Sequence, residues 1–91
     1  MIPMKRTSGQ LAIADVFLSA PHAPLWGYSI LQKADVTSGV LYPTLRKWTA
    51  AGLLRGDWEN PDDILGRSPR RYYKLTDAGR TALTELLAPA A

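Results

Sequence analysis

The segment from residue 60 to residue 69 most constrains the fold, because it places turn residues between two stretches with strand character. Its two ends, Asn60-Pro61-Asp62-Asp63 and Gly66-Arg67-Ser68-Pro69, consist of residue types that dominate turns. Residues 54–58 before it and residues 70–75 after it alternate in the manner of short strands. The segment is too long for a tight two-residue turn. We therefore predict a β-hairpin with a protruding loop, the wing, at about residues 60–69.

Four helical patterns surround this hairpin, three before it and one after it. Their boundaries carry local signals, such as a capping Thr76 before the last helix and Gly52, suited to a positive φ, after the third. Asp35 and Val36 mark the tight turn between the second and third helices. The four helices are predicted at about residues 8–19, 25–34, 37–51 and 77–88. Thr7 or Ser8 caps the first helix, and Pro21 with Pro24 ends it. Pro89 ends the last helix.

The order α-α-α-β-β-α predicts a mainly α domain with a small β-hairpin (α+β), a winged helix-turn-helix. We expect residues 1–91 to form one domain, because a chain of 91 residues is the size of a single one. The second and third helices, joined by a short turn, form the helix-turn-helix. In such a motif the second helix of the pair enters the DNA major groove.

The predicted third helix has two sides with different chemistry. Leu41, Leu45 and Trp48 follow the i, i+4, i+7 spacing of a core-facing stripe. The opposite side begins with small residues and becomes basic, which suits a helix whose first turn enters the major groove. Pro43 conflicts with a helix interior because it removes one hydrogen bond, at a cost of about 3 kcal/mol. We therefore expect a bend or a loose first turn there.

Basic residues cluster in the middle of the chain, although the formal net charge is only +3. A local patch of this kind attracts phosphates even when the total charge is small. We predict double-stranded DNA as the partner, read by the third helix and positioned by a basic wing. Two alternatives stay open: ordinary solvated charges, or pairing of Arg70-Arg71 with Asp62 and Asp63 across the loop. The predicted DNA-binding residues are Ser38, Gly39, Tyr42, Pro43, Arg46, Lys47, Arg67, Arg70 and Arg71.

The predicted first helix is apolar on nearly every side, with Asp15 as its only charged residue. A helix of this kind must be buried on more than one side, and a chain this short has a thin core of its own. We predict that a second copy of the chain covers it; coverage by the C-terminal helix within one chain is the alternative. The predicted dimer residues are Leu11, Ile13, Val16, Phe17, Leu83, Leu86 and Leu87.

Catalysis, a metal site and a cofactor are not expected. The chain has no cysteine, and its one histidine, His22, has no partner at a metal-ligand spacing. No apolar run approaches the roughly 20 residues that span a bilayer, and no secretory cleavage pattern follows Met1–Arg6. We therefore expect a cytoplasmic protein without a membrane partner. A winged helix that binds proteins instead of DNA is the alternative function.

Four stretches of the sequence resemble the PadR family of transcriptional regulators: Trp26–Ile30, Ser38–Leu45, Gly52–Leu54 and Arg70–Gly79. The resemblance covers about residues 25–87. It implies a homodimeric winged-helix repressor, usually bacterial, that binds a pseudo-palindromic operator, and it leaves open whether a small-molecule effector releases that operator. By this resemblance the reading helix contains Ser38, Tyr42 and Pro43, and the wing or its border contains Arg67, Arg70 and Arg71.

The chain departs from the family pattern at three places. Trp48 stands where the family more often has leucine, so the core near the third helix has to fit an indole. Asp62 and Asp63 are carboxylates in a wing expected beside phosphates, so we expect them to point away or to pair with arginine. The sequence ends soon after the fourth helix, whereas family members usually have a longer C-terminal element. We therefore expect dimerisation through the first helix and the end of the fourth, and the ligand pocket of the family is in doubt.

Overall fold

The computed structural model describes residues 7–88 and has the predicted order of helices and strands, with one strand added. The helices are α1 (Ser8–Ser19), α2 (Gly27–Ala34), α3 (Ser38–Ala50) and α4 (Asp77–Leu87), and the strands are β1 (Leu25–Trp26), β2 (Leu54–Trp58) and β3 (Arg71–Leu75). A short 3-10 turn, Pro61–Asp63, lies in the loop between β2 and β3. Met1–Arg6 and Pro89, the predicted end of the last helix, lie outside the described residues. The winged helix-turn-helix is confirmed.

Capping side chains place the helix ends close to where the sequence predicted them. The Gln10 backbone N–H donates to the Thr7 side chain at 3.2 Å. The Gly79 backbone N–H donates to the Thr76 side chain at 2.9 Å. Each bond satisfies a first-turn donor that an α-helix leaves free. Gly52 follows α3 with a φ of 80°, a left-handed conformation that glycine adopts without steric cost.

The second helix begins two residues later than predicted, because Leu25 and Trp26 form a strand instead of its first turn. This strand, β1, pairs antiparallel with β3, so that Leu25 lies opposite Tyr73 and Trp26 lies opposite Tyr72. Since β3 also pairs with β2, the sheet has the order β1-β3-β2. The free edge of β3 takes up a third strand, and this tertiary pairing outweighs the local helical pattern.

The first helix is covered within the chain itself, which corrects the reasoning that led to a dimer interface on its apolar sides. α1 packs against α2, α3 and α4, and its Ile13 and Phe17 side chains are 0% and 1% exposed. The same core contains three more of the predicted interface residues, Val16, Leu83 and Leu86. α4 thus supplies the cover that a second chain would have supplied. Dimerisation itself stays a prediction.

α3 runs without interruption from Ser38 to Ala50, with Pro43 in its interior. Pro43 has no N–H for the Gly39 carbonyl, four residues before it. Both residues are exposed, so water can bond that carbonyl in its place. On the inner side, the buried Thr44 hydroxyl donates to the Val40 carbonyl at 2.8 Å. The helix therefore tolerates the proline, because the hydrogen bond that Pro43 cannot make lies on the solvent-exposed side of α3.

The buried side of α3 is the predicted one. Leu41, Leu45 and Trp48 are each 0% exposed. The core accommodates the indole of Trp48 completely, although the Trp48 Nε1 has no hydrogen-bond partner among the described residues. Shape, and not hydrogen bonding, therefore holds this tryptophan in the core.

α4 starts at a tight junction with the turn that follows α3. The Thr76 backbone N–H donates to the Leu53 carbonyl at 3.1 Å, and the Thr76 hydroxyl donates to the Gly52 carbonyl at 2.6 Å. Gly79 lies directly on this turn: a Cβ atom at position 79 would be 1.9 Å from the Leu53 carbonyl oxygen. The absence of a side chain at Gly79 therefore lets α4 approach the backbone just before β2.

Candidate nucleic-acid interface

The outer side of α3 presents all six residues that the sequence predicted for it. Exposed side chains or backbone are found at Ser38, Gly39, Tyr42, Pro43, Arg46 and Lys47. Tyr42 is 40% exposed and lies across Gly27, where an added Cβ atom would be 3.1 Å from the Cε1 atom of the tyrosine ring. This side of the helix is therefore narrow at its start, aromatic in its middle and basic towards its end.

Arg46 of α3 and Arg71 of β3 line one groove, although they lie far apart in the sequence. This groove has a volume of about 410 Å³ and also contains Thr49, Ala50 and Tyr73. A smaller groove of about 130 Å³ continues from Arg71 and Tyr73 to Trp26, Gly27, Tyr28 and Tyr42. The sheet and α3 thus form one continuous surface, in which Arg71 and Tyr73 belong to both grooves.

The adjacent arginines of the hairpin lie on opposite faces of the sheet, because side chains alternate along a strand. The guanidinium carbon of Arg71 lies 5.3 Å from the ring centre of Trp58 and 5.6 Å from that of Tyr73. The guanidinium carbon of Arg70 lies 3.8 Å from the ring centre of Trp26 on the other face. Of this pair, only Arg71 lines the two grooves beside α3, whereas Arg70 covers Trp26 at the edge of the smaller groove.

Glu59 closes the base of the wing. The Arg67 Nη1 donates to the Glu59 Oε1 at 2.7 Å, and the Arg67 Nη2 donates to the Glu59 Oε2 at 3.1 Å. The same carboxylate accepts the Arg70 backbone N–H at 2.8 Å. In return, the Glu59 backbone N–H donates to the Arg70 carbonyl at 2.8 Å. The predicted DNA contact Arg67 is therefore already engaged in a two-pronged ion pair within the wing.

The wing loop itself is slightly acidic. From Asn60 to Pro69 there are two carboxylates and one arginine, a net charge of −1. Asp62 and Asp63 are exposed, and within residues 7–88 neither pairs with an arginine. Of the two alternatives for these carboxylates, pairing with Arg70-Arg71 is therefore wrong. The basic charge near the wing belongs to strand β3 and not to the loop.

The contacts of Glu59 shift its ionisation. The hydrogen bonds from the Arg67 side chain lower the pKa of the Glu59 carboxyl below its ordinary value. Partial desolvation opposes this shift, while the backbone N–H of Arg70 and the charges of the two arginines add to it. The same ion pair raises the pKa of the Arg67 guanidinium. The carboxylate thus keeps its charge to a lower pH than a free glutamate does.

We expect the wing to stay closed as the pH falls from neutral to the ordinary glutamate pKa, about 4.3, and to open only below it. A carboxyl with a lowered pKa in the folded state contributes stability above the unfolded pKa and loses it as the pH falls through the folded value. The Arg70 amide resonance in NMR, which reports the bond to Glu59, should titrate with a midpoint below about 4.3. Glu59→Gln should shift that resonance at neutral pH, while Glu85→Gln on α4 should not; a midpoint above the ordinary value would contradict the closed wing.

The sequence pattern did not single out Glu59 and Trp58, two residues that contact the arginines of the hairpin. Glu59 follows β2 and lies opposite Arg70, so a search for oppositely charged cross-strand pairs would have found it. Trp58 shares the apolar alternation of Leu54, but it is 64% exposed because β2 extends beyond the core. Its contact with Arg71 follows from the pairing of β2 with β3, which brings the two residues opposite each other.

Other charged residues lie on the far face of the sheet. A groove of about 340 Å³ there is lined by His22, Arg55, Lys74, Leu75, Thr76, Asp77 and Arg80. Arg55 pairs with Asp57 at 3.1 Å, and Arg80 pairs with Asp77. Within residues 7–88 no group of three or more His, Cys, Asp or Glu side chains could hold a metal ion, and no helix is long and apolar enough to cross a membrane.

A family model matches most of the chain. Residues 18–85 fit the transcriptional regulator PadR-like family, out of 91 residues in all. The chain belongs to the PadR-like family of transcriptional regulators. The resemblance carried by the Tyr42-Pro43 and Arg70–Gly79 stretches is thereby confirmed.

Three known proteins similar to this PadR-like protein are described as transcriptional regulators. Transcriptional regulator Rv3488 of Mycobacterium tuberculosis is 50% identical over 50 residues, which make up 55% of this chain and 43% of that protein. A PadR family transcriptional regulator from Eggerthella lenta is 34% identical, with a TM-score of 0.65, over 86% of this chain and 69% of that one. A MarR family transcriptional regulator from Silicibacter pomeroyi is 26% identical, with a TM-score of 0.63, over 88% and 49%. The match to the mycobacterial relative thus spans less than half of that protein's length.

Proposed function

We propose that this PadR-like protein is a homodimeric transcriptional repressor that binds a specific sequence of double-stranded DNA. One observation carries the proposal: Arg46, Lys47 and Arg71 lie on or beside the outer side of α3, and within residues 7–88 none of them pairs with a carboxylate. Three other arginines do have such partners, namely Arg55, Arg67 and Arg80. Unpaired cations on one surface suit DNA, because each phosphate contact releases condensed counterions.

The reading element in this proposal is α3. Ser38 and Gly39 keep its first turn narrow enough to enter the major groove. Tyr42 reaches a phosphate or a thymine methyl group. Arg46, one turn later, binds a phosphate or the O6 and N7 atoms of guanine, for which a guanidinium has matching geometry. Sequence preference therefore depends mainly on the exposed side of this helix.

The wing has a smaller part than its sequence indicated. Its loop is acidic and its Arg67 is neutralised by Glu59. Arg71 of β3 is the wing residue closest to the reading helix, since it shares a groove with Arg46. Arg70 lies on the far face over Trp26. We therefore assign the main backbone contact to Arg71, with Arg67 and Arg70 as weaker flanking contacts.

Two copies of the chain would place their α3 helices about one DNA turn, roughly 34 Å, apart on a pseudo-palindromic operator. Of the predicted interface residues, Leu11 and Leu87 are the two that remain partly exposed at the edge of the core. The proposed interface therefore lies on the outer sides of α1 and α4. The proposal places the protein in the bacterial cytosol, and release by a small-molecule effector enters it only as the family resemblance implies.

The test is enrichment of bound duplexes from a random-sequence DNA library, followed by footprinting at 50 and 200 mM salt. We expect a palindromic protected site and an affinity that falls steeply with salt, because several phosphates are neutralised. Sedimentation of the complex should give two chains per site. No enriched sequence, or an affinity independent of salt, would refute the proposal.

The acidic wing loop should weaken DNA binding. We expect Asp62→Asn combined with Asp63→Asn to raise operator affinity about threefold at 50 mM salt, because two negative charges near phosphates are removed. The gain should shrink at 200 mM salt, where the Debye length falls below about 8 Å. Asp15→Asn, which removes an exposed charge from α1, is the control and should leave affinity unchanged. An unchanged affinity for the wing variant would mean that the wing lies away from the DNA.

A winged helix that binds another protein is the second candidate. Leu65 favours it, because this large apolar side chain is 96% exposed in the wing loop, and exposed apolar surface marks interaction sites when it is extensive. A single leucine is a small surface for this purpose. The library experiment separates the candidates, since a module for protein binding would enrich no DNA sequence.

A further inference from the structure

The side chain of Arg71 in β3 lies against Gly56 of the neighbouring strand β2. Gly56 lies opposite Tyr73 in the strand pairing, next to the Arg71 side chain. A Cβ atom at Gly56 would be 2.5 Å from the Arg71 Nη2 and 2.9 Å from its Cζ. The missing side chain of Gly56 therefore makes the space into which the guanidinium of Arg71 fits.

Two aromatic rings complete this position. The guanidinium carbon of Arg71 lies 5.3 Å from the ring centre of Trp58 and 5.6 Å from that of Tyr73. Both distances are within the roughly 6 Å over which a cation is attracted to a ring face. Trp58 is 64% exposed, so this tryptophan covers the arginine without belonging to the core.

The glycine and the two rings hold the guanidinium of Arg71, but they do not neutralise its charge. Within residues 7–88 no carboxylate forms an ion pair with Arg71, and nearby Asp57 pairs with Arg55 instead. Attraction to ring faces leaves the in-plane N–H donors free. These donors have the fork geometry that fits a phosphate bidentately. A held arginine with free donors also loses less side-chain freedom when an anion binds.

We propose that Gly56 and Trp58 are positioning residues that hold Arg71 for a DNA backbone phosphate beside the groove entered by α3. This inference rests on the proposed function and deepens it. It explains how two residues that need not touch DNA support the contact that Arg71 makes. The shared groove of Arg71 and Arg46 supports it, because one duplex lying on α3 would pass both arginines.

The test is a double-mutant cycle on the enriched operator, with affinity measured from 50 to 300 mM salt. For each domain bound, Arg71→Ala is expected to lower affinity about tenfold and to reduce the slope of log affinity against log salt by about 0.9, which makes about 100-fold and about 1.8 for the proposed dimer. Trp58→Ala keeps the charge but releases the side chain, so affinity should fall about threefold and the salt slope should fall as well. In the Arg71→Ala background Trp58→Ala should have no further effect. Trp58→Phe, which restores a ring, should recover most of the affinity.

Gly56→Ala provides an independent route to the same result, because its methyl group displaces the guanidinium directly. Like Trp58→Ala it keeps the charge of Arg71, so it should match Trp58→Ala in affinity and in salt slope, provided that thermal unfolding shows a folded variant. If it is unfolded, the Trp58 variants decide the question.

The outcomes separate this inference from the proposed function. The inference is overturned, although the wild type binds DNA with a steep salt dependence, by either of two results. If Trp58→Ala leaves the salt slope unchanged, Trp58 does not position Arg71 for DNA. If Trp58→Ala adds its full effect to that of Arg71→Ala, Trp58 acts on DNA binding independently of Arg71. If the wild type enriches no DNA sequence, the proposed function and the inference both fall.

Discussion

Adding one methyl group at Gly79 is expected to lower the free energy of unfolding by about 3 kcal/mol. The new Cβ atom would be 1.9 Å from the Leu53 carbonyl oxygen. A backbone atom cannot rotate away as a side chain does, so α4 has to move. That movement stretches the two bonds that Thr76 makes to Gly52 and Leu53. The melting temperature should fall by about 12–24 °C, since each kcal/mol corresponds to about 4–8 °C in a domain of this size.

Gly39→Ala is the matched control for this prediction. Gly39 also lies in a helix, but among the described residues, its chain neighbours and the helix backbone aside, the nearest atom to an added Cβ is the Thr37 Oγ1 at 4.0 Å. Because alanine favours a helix over glycine by about 1 kcal/mol, this variant should be more stable than the wild type. Circular dichroism during thermal and urea unfolding measures both variants. A change of the same sign and size in both would refute the close packing at Gly79.

Removal of the Arg46 guanidinium is expected to cause a large loss of operator affinity. Each lost phosphate or guanine contact costs about 1–3 kcal/mol, and a factor of ten corresponds to about 1.4 kcal/mol. Since a homodimer carries two copies of the contact, Arg46→Ala should weaken binding about 100-fold at 100 mM salt. If both contacts are to phosphates, the salt slope should fall by about 1.8, twice the value of about 0.9 per phosphate.

Arg55→Ala is the control, because it removes the same charge from the far face of the sheet, where Arg55 pairs with Asp57. Electrophoretic mobility shift or fluorescence anisotropy over a salt series measures both variants. Thermal stability should be nearly unchanged in each, since both side chains are exposed. A drop in slope near 0.9 would indicate one chain per site, and equal losses for Arg46→Ala and Arg55→Ala would mean that only total charge matters.

Local interactions explain why much of the fold could be predicted from the sequence. The caps at Thr7 and Thr76 depend on residues three positions away, and the left-handed conformation of Gly52 depends on glycine itself. The buried stripe of α3 follows from helix periodicity alone. Features of this kind are encoded within a few residues, and a sequence read in short windows contains them.

Non-local pairing explains what the sequence could not give. β1 forms because β3 has a free edge, and nothing in the local pattern at Leu25 and Trp26 predicts that edge. The cover of α1 by α4 depends on how the chain returns after the hairpin. A mostly apolar helix fits a single-chain core and a dimer interface equally well, so composition could not decide between them.

The candidate site also combines features that are encoded locally with features that depend on non-local pairing. The exposed residues of α3 were predictable, because their side follows from helix periodicity once the buried stripe is known. Strand alternation places Arg70 and Arg71 on opposite faces, but that Arg71 is the one on the face towards α3 depends on how the sheet packs against the helices. The acidity of the wing loop could be counted in the sequence, but the two-pronged bond of Glu59 to Arg67 required the hairpin to be closed.

The junction of Thr76 with Gly52 has a consequence for how this protein can evolve. It closes a loop across 24 positions of the sequence, and the contacts of Glu59 with Arg70 close the hairpin a second time, nearer to its tip. Residues 60–69 lie beyond both closures. Because the entropy of loop closure grows only with the logarithm of length, a doubling of this segment costs about 0.6 kcal/mol. Insertions at the tip that leave the pair of Arg67 with Glu59 intact are therefore nearly neutral for stability, and the protein can change what its wing contacts while its core stays the same.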